Sequence, residues 1–233
     1  MERFYVDPAR ARARGTVMLD ENETRHLLKV KRRAPGDTVV LFDGQGGEYA
    51  ARLTGVQESR AALEVTDTLR REKHDGGRLL CAASAVPKGK RLVTMVEKLT
   101  ELGVDRIRFV TFARSVRVAN FPLDRLRRVA IEASKQSGRL FLPDVLPPAP
   151  FEAFLDQANE FDVRLFGTHE PTAALPRLRG GTALYVVGPE GGFAPSETDA
   201  LAARGFVPFR VGENILRIET AAAAICAALV TGR

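Results

Sequence analysis

Tryptophan is absent from this 233-residue chain, and histidine and cysteine are rare, with only three and two residues. Cys81 and Cys226 lie in apolar runs away from any CxxC motif or histidine, which disfavours a metal site and a disulfide framework. No window approaches the ~18 uncharged apolar residues of a membrane span, and the N-terminus lacks the apolar stretch of a signal peptide. These absences predict a cytoplasmic protein with buried free thiols, no metal and no membrane segment.

The chain also has no excess of acidic residues, because it contains 35 lysines and arginines but only 29 aspartates and glutamates. The formal charge of +6 and the sequence pI of about 9.7 favour a polyanionic partner, although a solvated basic surface explains them equally well. Hydrophobic residues make up 45% of the chain, enough for a sizeable core in one large domain or two modest ones.

The first 71 residues have the pattern of a small β-barrel, with short β-rich segments separated by turn signals. One stretch without helix breakers, Glu23–Arg33, predicts a single helix. Residues 72–77 are polar and rich in glycine, which is typical of a boundary between a domain over 1–71 and another over 72–233. The expected strands of the first domain are Arg3–Val6, Thr16–Leu19, Thr38–Phe42, Glu48–Val56 and Arg60–Thr68.

From residue 78 onwards strands alternate with helices, which predicts a parallel α/β sheet with helices on both faces. The expected strands are Arg78–Val86, Arg106–Ala113, Asp162–Phe166, Thr182–Val187 and Phe206–Val211. The expected helices are Leu92–Leu102, Leu123–Ser137, Phe151–Asn159, Ser196–Arg204 and Glu219–Val230.

The last expected helix is apolar on every face over Ala221–Val230, so we expect it to be buried all round. Its own core can enclose such a helix, or the sheet can cover one side and a second subunit the other. We favour the second arrangement, which makes the protein a homodimer.

Two loops that join a strand to a helix are candidates for a binding site. The first, Gly188–Phe193, has glycines that let the backbone approach a ligand, although a tight connection without a ligand explains them as well. It matches neither a dinucleotide fingerprint nor a P-loop. The second loop runs from Gly212 to Thr220. Its Glu219 suits a helix N-terminus, where an acid is favoured. Arg217 instead lies at the end of the helix dipole that disfavours a cation. A nearby anion would explain this position, and an arginine that simply extends into solvent explains it equally well.

The two loop sequences VGPEGGFAPSE (187–197) and VGENILRIETA (211–221) together resemble the signature of the RsmE family, the 16S ribosomal RNA (uracil N3) methyltransferases of the SPOUT superfamily. The departures are modest, since Val211 and Ile218 replace a leucine and a threonine of the family pattern, and Leu126 replaces an aromatic residue. Further matches follow in the same order along the whole chain: HLLKVKRRAPGD (26–37), EKLTELGVDRI (97–107), Arg114-Ser115 and EASKQSGRLFLPDV (132–145).

This resemblance implies a PUA-like N-terminal β-barrel and a C-terminal parallel-sheet α/β SPOUT domain with a trefoil knot, a topology that periodicity cannot reveal. It also implies a homodimer that binds S-adenosylmethionine and acts on 16S rRNA of the small ribosomal subunit. The cofactor-binding residues that it implies are Phe166, Gly167, Gly188, Pro189, Glu190, Gly191, Gly192, Ile215, Leu216 and Arg217.

The implied reaction is methylation of uracil N3, a nitrogen that is mostly protonated at neutral pH. A site assists by aligning N3 with the methyl group and by stabilising the uracil anion with a cationic donor. Arg217 is the first candidate for that donor and Arg114 the second. Glu219 is a candidate proton acceptor, with a helix-cap role as an equal alternative.

Basic residues of the N-terminal domain are the expected phosphate contacts. One face of the expected helix Leu123–Ser137 carries Arg125, Arg128, Glu132 and Lys135 and is extended by Arg139, but a solvated face explains this stripe adequately. The candidate RNA-binding residues are Arg10, Arg12, Arg25, Lys29, Lys31, Arg32, Arg33 and Arg139.

Two other functions stay open at this point. One is a different SPOUT reaction, ribose 2′-O methylation, which the small N-terminal barrel and the complete pair of loops disfavour. The other is a non-catalytic RNA-binding ribosome-assembly factor, which the intact Glu190, Arg217 and Glu219 disfavour.

Overall fold

The computed structural model describes residues 2–11, 15–74, 78–116, 118–170 and 181–231. The chain divides into two compact units. The first unit comprises Met1–His74 together with Ser134–Leu142, and the second comprises Asp75–Ala133 and Pro143–Arg233. The predicted boundary between domains at residues 71 and 72 stays a prediction.

The first unit is built on a five-stranded mixed sheet. Its strands are β1 (Arg3–Tyr5), β2 (Gly15–Met18), β3 (Thr38–Phe42), β4 (Gly47–Gln57) and β5 (Arg60–Arg71), in the order β1-β3-β4-β5-β2. Only β1 and β3 pair in parallel, with Phe4 opposite Leu41, and the other neighbours are antiparallel. Alternating burial along β4 shows why these sequences form strands, since every second side chain enters one core.

The helix predicted at Glu23–Arg33 differs in the structure. A short helix, α1 (Glu21–Arg25), begins after Asp20, whose side chain accepts the backbone N–H of Glu23 at 2.8 Å. A π-helical turn over His26–Val30 follows, with the Lys31 N–H donating to the His26 carbonyl at 2.9 Å. Leu27 is fully buried in this turn, Leu28 is half-buried, and Lys29 and Val30 are exposed. Helical structure therefore ends at Val30 rather than at Arg33.

Residues 134–142 belong to the first unit because polar contacts fix them there. Lys135 Nζ lies 2.9 and 3.1 Å from the two carboxylate oxygens of Glu23, and both side chains are almost fully buried. Arg3 donates to the Ser134 carbonyl at 2.8 Å. The expected solvated stripe that included Lys135 is therefore wrong at that residue, because a buried acid on another element neutralises it.

The second unit contains a six-stranded, all-parallel sheet. Its strands are β6 (Arg78–Ser84), β7 (Arg106–Thr111), β8 (Asp144–Pro150), β9 (Val163–Gly167), β10 (Gly181–Val187) and β11 (Val207–Phe209), in the order β11-β9-β10-β6-β7-β8. Strand β8 was not predicted, because its prolines at 147, 148 and 150 argue against a strand. The edge of the sheet tolerates them, since a proline there needs no ladder N–H.

Helices cover the sheet of the second unit, and their buried residues join one continuous core. The helices are α2 (Lys90–Glu101), α3 (Leu123–Ser137), α4 (Phe151–Asp156), α5 (Pro195–Ala203) and α6 (Ile218–Thr231), with a 3-10 turn at Ala158–Glu160. The last turn of α3 lies in the first unit.

The last helix is not enclosed by its own chain, which contradicts the first of the two arrangements considered for it, whereas cover by a second subunit stays a prediction. One face of α6 is buried, with Ala222 and Cys226 at 0% exposure, and the hydroxyl of Tyr185 donates to the Ala222 carbonyl at 2.9 Å. The other face, which includes Ala224 and Ala228, is only half-buried. The uniform apolar sequence therefore does not correspond to uniform burial.

The predicted fold class is confirmed in its two parts, a small N-terminal sheet and a parallel α/β sheet. The trefoil knot stays a prediction. Over the described ranges, no helix combines the length and apolar character needed to cross a membrane.

Candidate cofactor-binding site

A cavity of about 490 Å³ lies in the second unit, where β9, β10 and β11 end at their carboxyl termini. Ligands of parallel α/β sheets bind at this edge, because the loops there converge and expose backbone polar groups. The wall is mainly apolar, and its volume is that of an ordinary small-molecule pocket. Its apolar lining residues are Phe166, Val187, Pro189, Phe193, Phe209, Val211, Ile215, Leu216, Ile218, Ala221 and Ile225.

Most of the predicted cofactor residues meet at this cavity. Gly191 is the exception, since it does not line the wall and its carbonyl instead accepts a hydrogen bond from Arg114. The predicted residues that do line the cavity are Phe166, Gly167, Gly188, Pro189, Glu190, Gly192, Ile215, Leu216 and Arg217.

The loop Gly188–Phe193 is tightly shaped by its own residues. A Cβ atom at Gly188 would lie only 3.0 Å from the Phe193 ring, so a larger residue there displaces a side chain of the cavity wall. Gly192 has a φ of +70° and donates its N–H to the Pro189 carbonyl at 2.9 Å, which closes a turn that favours glycine. The ring of Phe193 packs at right angles against Phe112 and Phe166.

Two arginines contact this loop from other elements. Arg114, which follows β7, donates from Nη1 to the carbonyls of Gly191 at 2.9 Å and Phe193 at 3.2 Å. Arg91, in the first turn of α2, lines the cavity and forms an ion pair with Glu190 at 3.3 Å. The loop after β10 is therefore held by the loop after β7 and by α2.

The second loop, Gly212–Arg217, is far more exposed. Ile215 is 79% exposed although it lines the cavity. Arg217 is exposed and also lines the cavity, and none of the hydrogen bonds and ion pairs of the described residues involves its guanidinium. Glu219 follows in the first turn of α6 but does not line the cavity, and its Oε2 atom is buried without a hydrogen-bond partner.

Sequence reasoning missed several residues that line the cavity. Arg91 belongs to the segment Pro87–Arg91, which follows β6 at the same edge of the sheet. The rule that ligand loops follow the carboxyl ends of parallel strands points to that segment as well, and Lys88, Lys90 and Arg91 make it basic. Thr168, His169 and Arg210 follow β9 and β11 and are explained by the same rule.

The candidate RNA-binding residues of the first unit are not equally available. Lys29 and Arg32 are exposed and form no ion pair within the described residues. Lys31 and Arg33 both pair with Glu2, at 3.4 and 3.2 Å. Desolvation acts to raise the pKa of Glu2, but hydrogen bonds from Arg33 and Lys31 outweigh it and lower that pKa below its ordinary value.

The remaining candidates differ in their surroundings. Arg10 is exposed, and Arg25 donates to the Asn22 side chain at 3.3 Å. Arg139 is half-buried, and its carbonyl accepts a hydrogen bond from Arg3. Arg12 lies outside the described residues.

Two family models match this chain. A model of the RNA methyltransferase domain covers residues 78–230, and a model of the RNA methyltransferase PUA domain covers residues 19–66. The parallel sheet with its cavity at the carboxyl edge is thus the catalytic domain of an RNA methyltransferase. The chain belongs to the ribosomal RNA small subunit methyltransferase E family, as the resemblance of its loops predicted.

Named relatives match over nearly the whole chain. Ribosomal RNA small subunit methyltransferase E of Mycobacterium tuberculosis is 30% identical over 94% of this chain and 87% of its own length. The Bacillus subtilis protein of the same name is 28% identical over 95% of this chain and 93% of its own length.

Solved structures show the same similarity. The Neisseria gonorrhoeae ribosomal RNA small subunit methyltransferase E, bound to S-adenosyl methionine, has a TM-score of 0.86 and 33% identity over 99% of this chain and 97% of its own. A probable rRNA-methyltransferase from Porphyromonas gingivalis has a TM-score of 0.83 and 29% identity over 99% and 98% of the two chains.

Proposed function

We propose that this protein transfers a methyl group from S-adenosylmethionine to N3 of a uridine in 16S rRNA of the small ribosomal subunit. The observation that carries the proposal is the cavity at the carboxyl ends of β9 to β11, enclosed by the two loops that resemble the family signature. The 33% identical Neisseria relative, described as bound to S-adenosyl methionine, supports the choice of cofactor. Because ribosomal RNA is the substrate, we place the protein in the cytoplasm.

The residues of the cavity fit this cofactor. Phe166, Phe209 and Leu216 offer apolar surface for an adenine ring, and backbone groups of the Gly188–Phe193 loop are available for its polar edge. Glu190, on the wall, carries a negative charge that suits the positive charges of the cofactor, and Arg210 suits its carboxylate. A Cβ at Gly188 would lie 3.0 Å from the Phe193 ring, so a side chain there would have to move a residue of the cavity wall.

Bound S-adenosylmethionine supplies an electrophilic methyl group on a sulfonium. Arg217 is on the cavity wall, and its guanidinium is free to donate to O2 or O4 of a uracil and so to stabilise the anion. Glu219 has a buried Oε2 without a partner in the described part of the chain but does not line the cavity, so its role as proton acceptor requires the Gly212–Arg217 loop to move when RNA binds, and a helix-cap role is the equal alternative. Arg114 is the weaker candidate for the anion-stabilising donor, because its Nη1 is already engaged by two loop carbonyls.

The direct test combines calorimetry with nucleoside analysis. The purified protein should bind S-adenosylmethionine, and a strain without the gene should lack 3-methyluridine in its 16S rRNA until the gene is restored. A missing ribose methyl group instead would identify the alternative SPOUT reaction. If the 16S rRNA of the strain without the gene has normal nucleosides and the protein does not bind S-adenosylmethionine, the non-catalytic assembly factor is the remaining function.

We also infer that the protein is a homodimer through α6. The half-buried face with Ala224 and Ala228 has small apolar residues and no charge, which suits close packing against a second copy. Light scattering at micromolar concentration should give the mass of two chains, whereas a stable wild-type monomer would contradict this assembly. Ala228→Asp should dissociate or unfold the protein, since it would bury an unpaired charge.

A further inference from the structure

Glu197, on α5, forms contacts that its place in the sequence does not explain. It is only 5% exposed, and its carboxylate accepts two backbone N–H groups, from Ala194 at 2.8 Å and from Ala113 at 2.7 Å. The first contact is local and caps the start of α5. The second reaches the loop after β7, so one buried carboxylate connects α5 with a distant part of the chain.

Arg114, the residue after Ala113, makes the reciprocal connection. Its Nη1 donates to the carbonyls of Gly191 and Phe193, in the loop that leads into α5. Strand β6 separates β7 from β10 in the sheet, so these loops are not joined by ladder hydrogen bonds. The ring centroids of Phe112 and Phe193, 5.2 Å apart, add an apolar contact beside the polar ones.

We propose that Glu197 and Arg114 are positioning residues that together hold the Gly188–Phe193 loop in the shape that binds the cofactor. This inference rests on the proposed function. A loop with three glycines has many conformations in the absence of constraints, and only the fraction in the competent shape contributes to affinity. The apparent dissociation constant rises as that fraction falls, so the two contacts act on cofactor binding without touching the cofactor.

A purely local role for Glu197 makes a different prediction. An acid in the first turn stabilises a helix through the helix dipole, and this effect does not depend on a contact with a distant loop. Glu197→Asp keeps that negative charge but shortens the side chain by one methylene, about 1.5 Å, too short to reach the Ala113 N–H. The substitution thus keeps the charge that favours the start of α5 and removes the contact with the distant loop, while thermal unfolding reports any weakening of the local cap on the Ala194 N–H.

The experiment compares Glu197→Asp and Arg114→Ala with the wild type by calorimetry, with S-adenosylmethionine as the probe, and by thermal unfolding. Asp199→Asn is the matched control, because Asp199 is an exposed acid on the same helix. We expect both variants to bind the cofactor about tenfold more weakly, with melting temperatures close to wild type, and the control to be unchanged. The double variant should lose less than the product of the two single losses, since both contacts hold one loop.

Amide hydrogen exchange in the cofactor-free protein keeps this inference separate from the proposed function. The amides of residues 188–194 should exchange faster in both variants, whether or not the protein methylates RNA. Arg114→Lys, which retains one donor, should recover part of the protection. Unchanged exchange and unchanged affinity in Glu197→Asp would overturn the inference, as would a loss of affinity that only accompanies unfolding of α5.

Discussion

The two units of this protein present their candidate ligand contacts in opposite ways. In the first unit, cations on and after the π-helical turn project from the surface, and some already pair with Glu2. In the second unit, the contacts are enclosed in a cavity formed by the ends of three parallel strands and held by Arg114 and Glu197. Charge therefore dominates one unit and shape the other.

Because of this difference, we expect RNA binding and cofactor binding to respond differently to substitutions. Exposed cations act on RNA through long-range attraction, so single substitutions have small effects that depend on salt. An enclosed site acts through fixed distances, so one misplaced atom has a large effect at any ionic strength. Substitutions in each unit should therefore change one binding event and leave the other intact.

The largest effect is expected from Arg217→Ala. Loss of the donor to a developing anion should lower the single-turnover methylation rate by about 100-fold or more, with RNA and cofactor affinity within a few fold of wild type. Rapid-quench assays with saturating RNA measure the rate, and Arg127→Ala, an exposed cation on α3, is the control. A wild-type rate in Arg217→Ala would transfer the role to Arg114, and a wild-type rate in both variants would contradict anion stabilisation.

A smaller but clear effect is expected from Gly188→Val. The new side chain would displace the Phe193 ring, whose atoms lie 3.0 Å from the position of a Cβ, and should weaken S-adenosylmethionine binding by at least about tenfold. Calorimetry measures the loss. Gly55→Ala is the control, since a Cβ at Gly55 meets nothing within 4 Å. Normal affinity in a folded Gly188→Val protein would exclude this loop from the site.

A graded effect is expected from the cations of the first unit. Replacing Lys29 and Arg32 by alanine should reduce the salt dependence of RNA binding by roughly one unit of slope per lost phosphate contact. Replacing Lys31 and Arg33 should reduce it less, because the Glu2 carboxylate already pairs with both. Filter binding at several salt concentrations gives the slopes. If either double variant changes the affinity for S-adenosylmethionine, the prediction that substitutions in the first unit affect only RNA binding is wrong.

The smallest effect is expected from thiol chemistry, which reports on the second unit alone. Burial raises the pKa of Cys81 to about 12, and Arg108 and Arg106 only partly offset it, so the thiolate is scarce until the pH approaches that value. Cys226 is fully buried as well. At about pH 8 neither thiol of the native protein should react with Ellman's reagent, and both should react in denaturant. Prompt reaction of the native protein would show that this core opens.

The sequence by itself determined much of the architecture. Ten of the eleven strands formed by the described residues were located from the sequence. In the first unit the signal is alternation, because one face of a strand such as β4 is buried, and in the second unit it is continuous apolar runs, because strands such as β6 and β10 are covered on both faces. The order of strands and helices after residue 78 implied a parallel sheet, and parallel sheets place their ligand loops at one edge. The two glycine-bearing loops were therefore found from the sequence, as were Arg217 and the exposed cations at Lys29 and Arg32.

Tertiary structure decided the rest, because it depends on which distant residues become neighbours. Lys135 looked like a surface cation until Glu23, 112 residues away, was found beside it. Arg114 looked free to stabilise an anion, yet two carbonyls 77 and 79 residues further along engage it. The prolines of β8 are tolerated only because that strand is at the edge of the sheet. Glycine and apolar patterns report local backbone needs and burial, whereas the partner of a charged side chain is set by the fold as a whole.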